Sequence, residues 1–316
     1  MKSVVALIDG DVLAFHACPY DRSKISSQVG TPAVNMEGEV IYNAKGDPEI
    51  EYSQSEDEAF LEICWRNFRN SIKSTMEEAG ADAFKMAVKG EGNFRDLIHD
   101  DYKGHRSKSG TNRNIFVPVL RDMAVDAGLA IAATGMEADD LLRIWATEIE
   151  EEDVEEFVIC SIDKDLRCIP GRHFHMKTKK TDMVTEDDAH RLFYAQLLSG
   201  DPVDKIPGLP GVGPVKAVNA IAAGENESDY QFIVKDAYQE EYGDGWRVVT
   251  SVERYIREKE GHPVSAGAVP LAKYESWEDM LLFNGRLLYL LKTYDDFFNL
   301  HGWVVTDFEE TLKTGE

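Results

Sequence analysis

The sequence predicts an α/β protein: residues 1–185 alternate strand and helix, and residues 186–316 read as helical almost throughout. Two observations carry this. Short apolar, β-branched runs recur between amphipathic stretches as far as residue 162, the alternation of a parallel sheet with right-handed crossovers. Beyond residue 185 the apolar residues recur at helical spacing instead. A third observation bears on function, because small groups of acidic residues fall directly after three of the strand-like runs.

The elements follow in order. Residues 3–8 (SVVALI) form a buried strand. Residues 25–54 are rich in Gly, Pro, Asn and Ser, with short alternating pieces at 40–42 and 49–52, and predict an inserted hairpin or long excursion. Ser55 and Glu58 have capping-box spacing, and Phe60, Ile63, Cys64, Phe68, Ile72 and Met76 continue a helix. Strands are expected at 83–88, 129–133 and 157–160, with helices at 114–127 and 138–150 between them. Further helices are expected at 186–199, 214–223, 228–240, 246–259 and 276–295, and no repeat of 20–50 residues is visible.

Composition narrows the classes. Hydrophobic residues at 43% and charged residues at 29% exclude wholesale disorder. The four cysteines, Cys18, Cys64, Cys160 and Cys168, form no C-x-x-C pair, which argues for a reducing compartment and against a zinc knuckle. The apolar run at the start stops at Asp9, too short for a signal peptide, and no apolar run reaches 18 residues, so no membrane partner is expected. A net charge of −24 would ordinarily count against nucleic acid. Residues 85–121 break the trend: eight cations against four acids give +4, and Tyr102, Lys103, His105 and Arg106 interleave an aromatic ring with basic groups, as phosphate contact and base stacking require.

The acids are informative by placement. Asp9 and Asp11 follow the first strand; Glu137, Asp139 and Asp140 follow the strand near 133; Asp163 and Asp165 follow the strand near 160. The crevice beyond the carboxyl ends of parallel strands is where ligands bind. Carboxylates packed there repel one another unless a hard divalent cation joins them. Any one group reads equally well as a turn or helix cap; three groups at three strand ends favour a metal site. A fourth pair, Asp201 and Asp204, precedes a run with three glycines and three prolines in residues 207–214 that opens onto a helix. Such a loop frees N–H groups for an anion, or simply joins two helices.

These residues, taken together, resemble the 5′-nuclease family, the flap endonucleases and 5′–3′ exonucleases, and in particular its free-standing bacteriophage type. The matching pieces are Ile8–Asp11, Asn93–Arg95, Tyr102–Arg106, Glu137–Asp140, Asp163–Asp165 and Gly200–Asp204 with the glycine loop, in the family's order over residues 8 to about 217. The resemblance implies a PIN-like nuclease domain at 1–185 and a helical part at 186–316 with a helix–three-turn–helix near 196–223. It implies two Mg²⁺ or Mn²⁺ ions: Asp9, Glu137, Asp139 and Asp140 at the first, with Asp11 a stand-in ligand, and Asp163, Asp165, Asp201 and Asp204 at the second. Lys103 and Arg106 are the implied catalytic cations. Arg95, Tyr102, Lys103, Arg106, Gly208, Gly211, Gly213 and Lys216 would contact DNA, with K⁺ at the glycine loop.

The implied activity is hydrolysis of DNA, or of an RNA primer, from a free 5′ end or 5′ flap to 5′-phosphate products, by a cytoplasmic monomer. Two departures stand out. Ala87-Val88-Lys89-Gly90 lacks the acid that usually ends that strand, and Val215 holds the place of the lysine that usually follows the loop. Two other readings remain open: a haloacid-dehalogenase-like phosphatase with Asp9 as nucleophile, and a non-catalytic DNA-binding module.

Overall fold

A computed structural model of the chain describes residues 2–18, 31–35, 37–51, 54–104, 116–242 and 276–300. Strand β1 (Ser3–Asp9) is followed by a separate antiparallel pair, β2 (Thr31–Pro32) and β3 (Ile50–Glu51), and lies inside a six-stranded sheet with β4 (Ala83–Lys89), β5 (Ile131–Ala133), β6 (Glu155–Ser161), β7 (Gly171–His175) and β8 (Lys180–Val184). The order is β5-β4-β1-β6-β7-β8. Every pairing is parallel except β7 with β8. From β1 the chain builds outward on one side through β4 and β5, then returns to build the other side from β6. The carboxyl end of β1 is therefore the switch point where such sheets open a crevice.

Both sheet faces are covered. Ala6, Ile8, Met86 and Val158 pack beneath α1 (Gly10–Ala17), α2 (Gln54–Ala79) and α4 (Phe116–Asp126). Leu7, Ala87 and Ile159 pack beneath α5 (Ala138–Glu152). Alternate residues of one strand thus feed opposite cores, which is why β1 is apolar at every position from Val4 to Ile8. A short helix, α3 (Phe94–Ile98), follows β4.

The helical part comprises α6 (Glu186–Ser199), α7 (Pro214–Ile221), α8 (Glu227–Tyr242) and α9 (Trp277–Leu288). Leu197, Leu198, Tyr230, Tyr238, Trp277 and Leu281 are among the side chains of their shared core. Helix α9 ends well before residue 295 because Tyr289 turns extended, and its carbonyl, like that of Leu287, accepts from Arg95. The helix expected at 246–259 lies outside the described residues, as does the Ser55 side chain.

Four of the described elements escaped the sequence reading: α1, whose first residue is a glycine, the short α3, a 3-10 turn at Asp165–Cys168, and the β7–β8 hairpin. The excursion at 25–54 contains an eight-residue repeat, visible in its hydrogen bonds. Asn35 Oδ1 accepts from Glu37 and Glu39 N–H, and Asn43 Oδ1 from Lys45 and Asp47 N–H. Gly38 and Gly46 occupy the same left-handed position in each unit. Ala33, Ile41 and Glu49, eight residues apart, close a ring of backbone hydrogen bonds of 2.7–2.8 Å.

Candidate active site

The carboxyl ends of β1, β4, β5 and β6 open onto a cavity of about 970 Å³. Ten acids line it: Asp96 and Asp100 on one side, and Asp9, Asp11, Glu137, Asp139, Asp163, Asp165, Asp201 and Asp204 beyond the strand ends and the turn after α6. Local structure aims each of them. Asp9 ends β1 and caps α1, accepting from the Val12 N–H at 3.3 Å. Glu137 caps α5, with Asp139 in that helix's first turn. Asp163 and Asp165 follow β6, with the Asp165 N–H donating to Asp163 at 2.9 Å. Asp201 and Asp204 ride on the turn after α6, where Asp201 Oδ1 accepts from Val203 N–H at 2.7 Å.

The acids fall into two electrostatic groups. Glu137 is paired: Lys103 Nζ lies 2.6 Å from its Oε1, Tyr102 Oη donates to Oε2 at 3.2 Å, and Asn93 Nδ2 donates to Oε1 at 3.1 Å. Burial would raise the Glu137 carboxyl, but Lys103 and Arg95 hold it below its ordinary value. Lys103 Nζ also stands 3.5 Å from Asp204, and Asp11 is paired with Arg121 at 2.7 Å. By contrast, burial pushes Asp9 up to about 6 against the Ser161 hydrogen bond, with Asp11 and Asp163 adding repulsion. Burial together with Asp9, Asp163 and Glu137 drives Asp139 well above the ordinary range. Asp165 is raised by burial and by Asp163.

This donor set is chemically suited to a hard divalent cation. It consists of carboxylate oxygens, several of which are hard to ionise side by side without positive charge between them. As the side chains stand, no group of three or more His, Cys, Asp or Glu among the described residues is arranged to hold an ion. Glu137 and Asp11 are instead drawn toward cations of the protein itself, Lys103 and Arg121.

The structure corrects several expectations. Asp140 does not face the cavity. It is fully buried, grips Arg95 through two bonds of 2.6 and 2.9 Å, and accepts from the N–H groups of Glu137 and Leu291. Arg95, expected on DNA, is almost as deeply buried; two of its other donors go to the Leu287 and Tyr289 carbonyls, where a DNA phosphate cannot reach. The ring of Tyr102 packs with Ile206, Phe283 and Leu287, so its face is not available for stacking. Gly208 is buried and donates its N–H to Asn284 Oδ1 at 3.1 Å, which takes it out of any phosphate contact. Gly211, Gly213 and Lys216 are exposed, with Lys216 Nζ folded back on the Gly211 carbonyl at 2.9 Å. Arg106 lies outside the described residues.

Three polar residues at the site had no motif to announce them. Ser161 Oγ donates to Asp9 at 2.8 Å and accepts from the Asp163 N–H at 3.0 Å, joining two strand ends. Gln196 Nε2 donates to Asp165 at 2.7 Å. Arg121 neutralises Asp11. A Ser two positions before the Asp163–Asp165 pair was legible as a candidate; Gln196, on a helix 31 residues away, was not.

Residues 51–195 match the family described as 5′-3′ exonuclease, N-terminal resolvase-like domain. The chain is 26% identical over 182 residues to a 5′-3′ exonuclease of Mycoplasma genitalium, covering 51% of this chain and 58% of that protein. It is 29% identical over 137 residues to the 5′-3′ exonuclease of Aquifex aeolicus, covering 40% and 47%. The chain thus spans about half the length of the curated relatives it matches. Among solved structures, the T5 D15 protein co-crystallised with metal ions superposes with a TM-score of 0.50 at 16% identity, covering 92% of this chain and 89% of that one, a likeness of fold.

Proposed function

We propose, from the match of residues 51–195 to the 5′-3′ exonuclease N-terminal resolvase-like family and from the site geometry, that this protein is a divalent-metal-dependent 5′–3′ exonuclease or flap endonuclease. It cleaves DNA, or an RNA primer on DNA, at a free 5′ end or flap and leaves 5′-phosphate products. The observation that carries the reading is the meeting, in a single cavity, of eight acids from three strand ends and one helix-following turn, with Asp9 and Asp139 made hard to ionise by burial and by neighbouring acids.

Asp9, Glu137 and Asp139 would hold one ion, and Asp163, Asp165, Asp201 and Asp204 the other. Two bound Mg²⁺ or Mn²⁺ ions would supply a hydroxide nucleophile and stabilise the leaving oxygen. Ser161 and Gln196 fix the orientation of Asp9, Asp163 and Asp165. Lys103, turned from Glu137 to the substrate, neutralises charge on the scissile phosphate, with Arg106 assigned beside it. The exposed Gly211–Gly213 backbone, with Lys216 and a K⁺ ion, grips the duplex phosphates, so contacts read shape and charge rather than bases. On this reading residues 1–185 form the nuclease unit and 186–316 the helical unit, and the protein works as a cytoplasmic monomer of the bacteriophage type.

The phosphatase reading is not favoured: both Asp9 oxygens are engaged, by Val12 N–H and Ser161 Oγ, and it leaves the acids beyond the other strand ends unexplained. A non-catalytic DNA-binding module leaves the acidic cavity unexplained. The test is a 5′-flap duplex labelled at either end, incubated with and without Mg²⁺. Metal-dependent release of 5′-phosphorylated fragments supports the reading; intact substrate at saturating Mg²⁺ overturns it.

A further inference from the structure

We infer that Asn284 is a positioning residue, which from inside the helical core fixes the turn bearing Asp201 and Asp204 and the loop bearing Gly211 and Gly213. The inference rests on the nuclease reading for what the turn does, but its geometry stands apart from it. Asn284 lies mid-way along α9, in a stretch that carries no recognisable motif, and is fully buried. Its Oδ1 accepts from Gly208 N–H at 3.1 Å. Its Nδ2 donates to Tyr238 Oη at 2.9 Å and to the Met280 carbonyl at 3.1 Å. Tyr238 Oη in turn donates to the Leu197 carbonyl in the last turn of α6 at 2.6 Å.

That last turn is also where the loop leans. Leu209 N–H donates to the Leu198 carbonyl at 2.8 Å, and a β-carbon on Gly208 would collide with the backbone of Ser199 and Gly200. Between the two glycines, Asp201 and Ile206 exchange both backbone hydrogen bonds, 3.0 and 2.8 Å. Residues 200–209 therefore move as one piece: displacing Gly208 displaces Asp201 and Asp204 at its far side and Gly211 and Gly213 beyond it. The same helix reaches the cavity wall, since Phe283 packs with Tyr102 and Ile206, and Leu287 receives Arg95.

A buried amide with its donors and acceptor all satisfied selects one arrangement of its neighbours. An apolar side chain of similar size would fill the space, yet leave Gly208 N–H without its acceptor and the loop free to shift. Asn284→Leu separates the two roles. Tyr238→Phe keeps its ring, deletes the two hydrogen bonds of its hydroxyl while leaving the Asn284–Gly208 bond in place, and serves where Asn284→Leu does not fold. Leu281→Ala, a fully buried residue on the same helix outside the network, controls for loss of stability. Three quantities are read well below each variant's melting temperature: amide hydrogen exchange over residues 200–213, the Mg²⁺ concentration for half-maximal single-turnover cleavage, and duplex affinity.

Asn284→Leu is expected to speed exchange at Gly208 and across 201–206, to raise the Mg²⁺ requirement about tenfold, and to weaken duplex binding. Tyr238→Phe should shift the same readouts less, and Leu281→Ala should lower the melting temperature alone. Unchanged exchange at Gly208 in both network variants, or matching effects in Leu281→Ala, overturns the inference. A wild-type protein that cuts nothing overturns the nuclease reading instead, and exchange then decides the positioning role by itself.

Discussion

Asp139 and Asp140 are consecutive residues in the first turn of α5, yet they belong to opposite regions of the site. Asp140 is in the wall, saturated by Arg95 and two backbone N–H groups. Asp139 is on the floor, among Asp9, Asp163 and Glu137, where every neighbouring acid makes its ionisation harder. Successive side chains on a helix point about 100° apart, so one step along the chain exchanges a cationic partner for a set of anionic ones. The wall carries charge in order to be rigid. The floor carries acids that Lys103 offsets only in part, so that Asp9 and Asp139 stay hard to ionise until a cation joins them.

The sharpest way to break this contrast is on the floor. Asp139→Asn or Asp163→Asn is expected to abolish metal-dependent cleavage while leaving duplex binding intact or tighter. Stability in the metal-free protein should hold or rise, because a repelling charge has gone. Denaturant titration beside single-turnover cleavage measures both, and near-normal turnover in either variant at saturating Mg²⁺ would show that the floor is misassigned.

The wall should behave in the opposite way. Arg95→Met or Asp140→Leu alone leaves a buried charge without its partner and should cost about 3–5 kcal/mol of unfolding free energy. The double replacement should recover most of that loss, since a well-packed apolar pair often matches a buried ion pair. If either single variant keeps wild-type stability, the wall is not the structural element described.

How much of this was legible in the sequence depended on the kind of signal. The central parallel strands and the acids beyond them were readable, because burial on both faces leaves an unbroken apolar run and the acids stand next to it. The β7–β8 hairpin was not: GRHFHMKTKKTDMV is polar at most positions, because this pair lies toward one end of the sheet and β8 is largely exposed. The eight-residue repeat at 33–49 is held by Asn and Gly turns rather than by apolar periodicity. Arg95 counted as one more cation in a basic segment, since nothing in the chain near it says that Asp140, 45 residues on, will enclose it. Asn284 gave no signal at all, for its partners beyond its own helix come from two distant segments, the glycine loop and α8.

Between wall and floor stand the residues that orient the acids, and their loss should be graded. Ser161→Ala removes the hydroxyl that joins Asp9 to the Asp163 backbone and should cost about 10–100-fold in cleavage rate or metal affinity. Ser161→Thr, which keeps the hydroxyl, should recover most of it. Rates measured across a Mg²⁺ titration distinguish this from a fold defect, because a fold defect would also lower the melting temperature of the Ala variant.

The smallest expected effect on the fold, and the cleanest on the ligand, lies in the glycine loop, where two glycines again divide into structure and surface. Gly208 has a φ of +58°, and a β-carbon there would strike the neighbouring backbone, so Gly208→Ala should disrupt the fold outright. Gly213 has a φ of −89° at the N-cap of α7, and a β-carbon there meets nothing of the protein within 4 Å. Gly213→Ala gains from a stiffer unfolded chain and loses from a poorer cap, two small terms of opposite sign. The net change should stay within about 0.5 kcal/mol. If the exposed loop meets a duplex phosphate, the added methyl occupies that space, and duplex affinity should fall on the order of tenfold, about 1.4 kcal/mol. Cleavage of short single strands, whose 5′ ends engage the cavity alone, should be nearly unchanged. Equal loss on both substrates, with the melting temperature lowered, would mean that Gly213 only lets two helices turn.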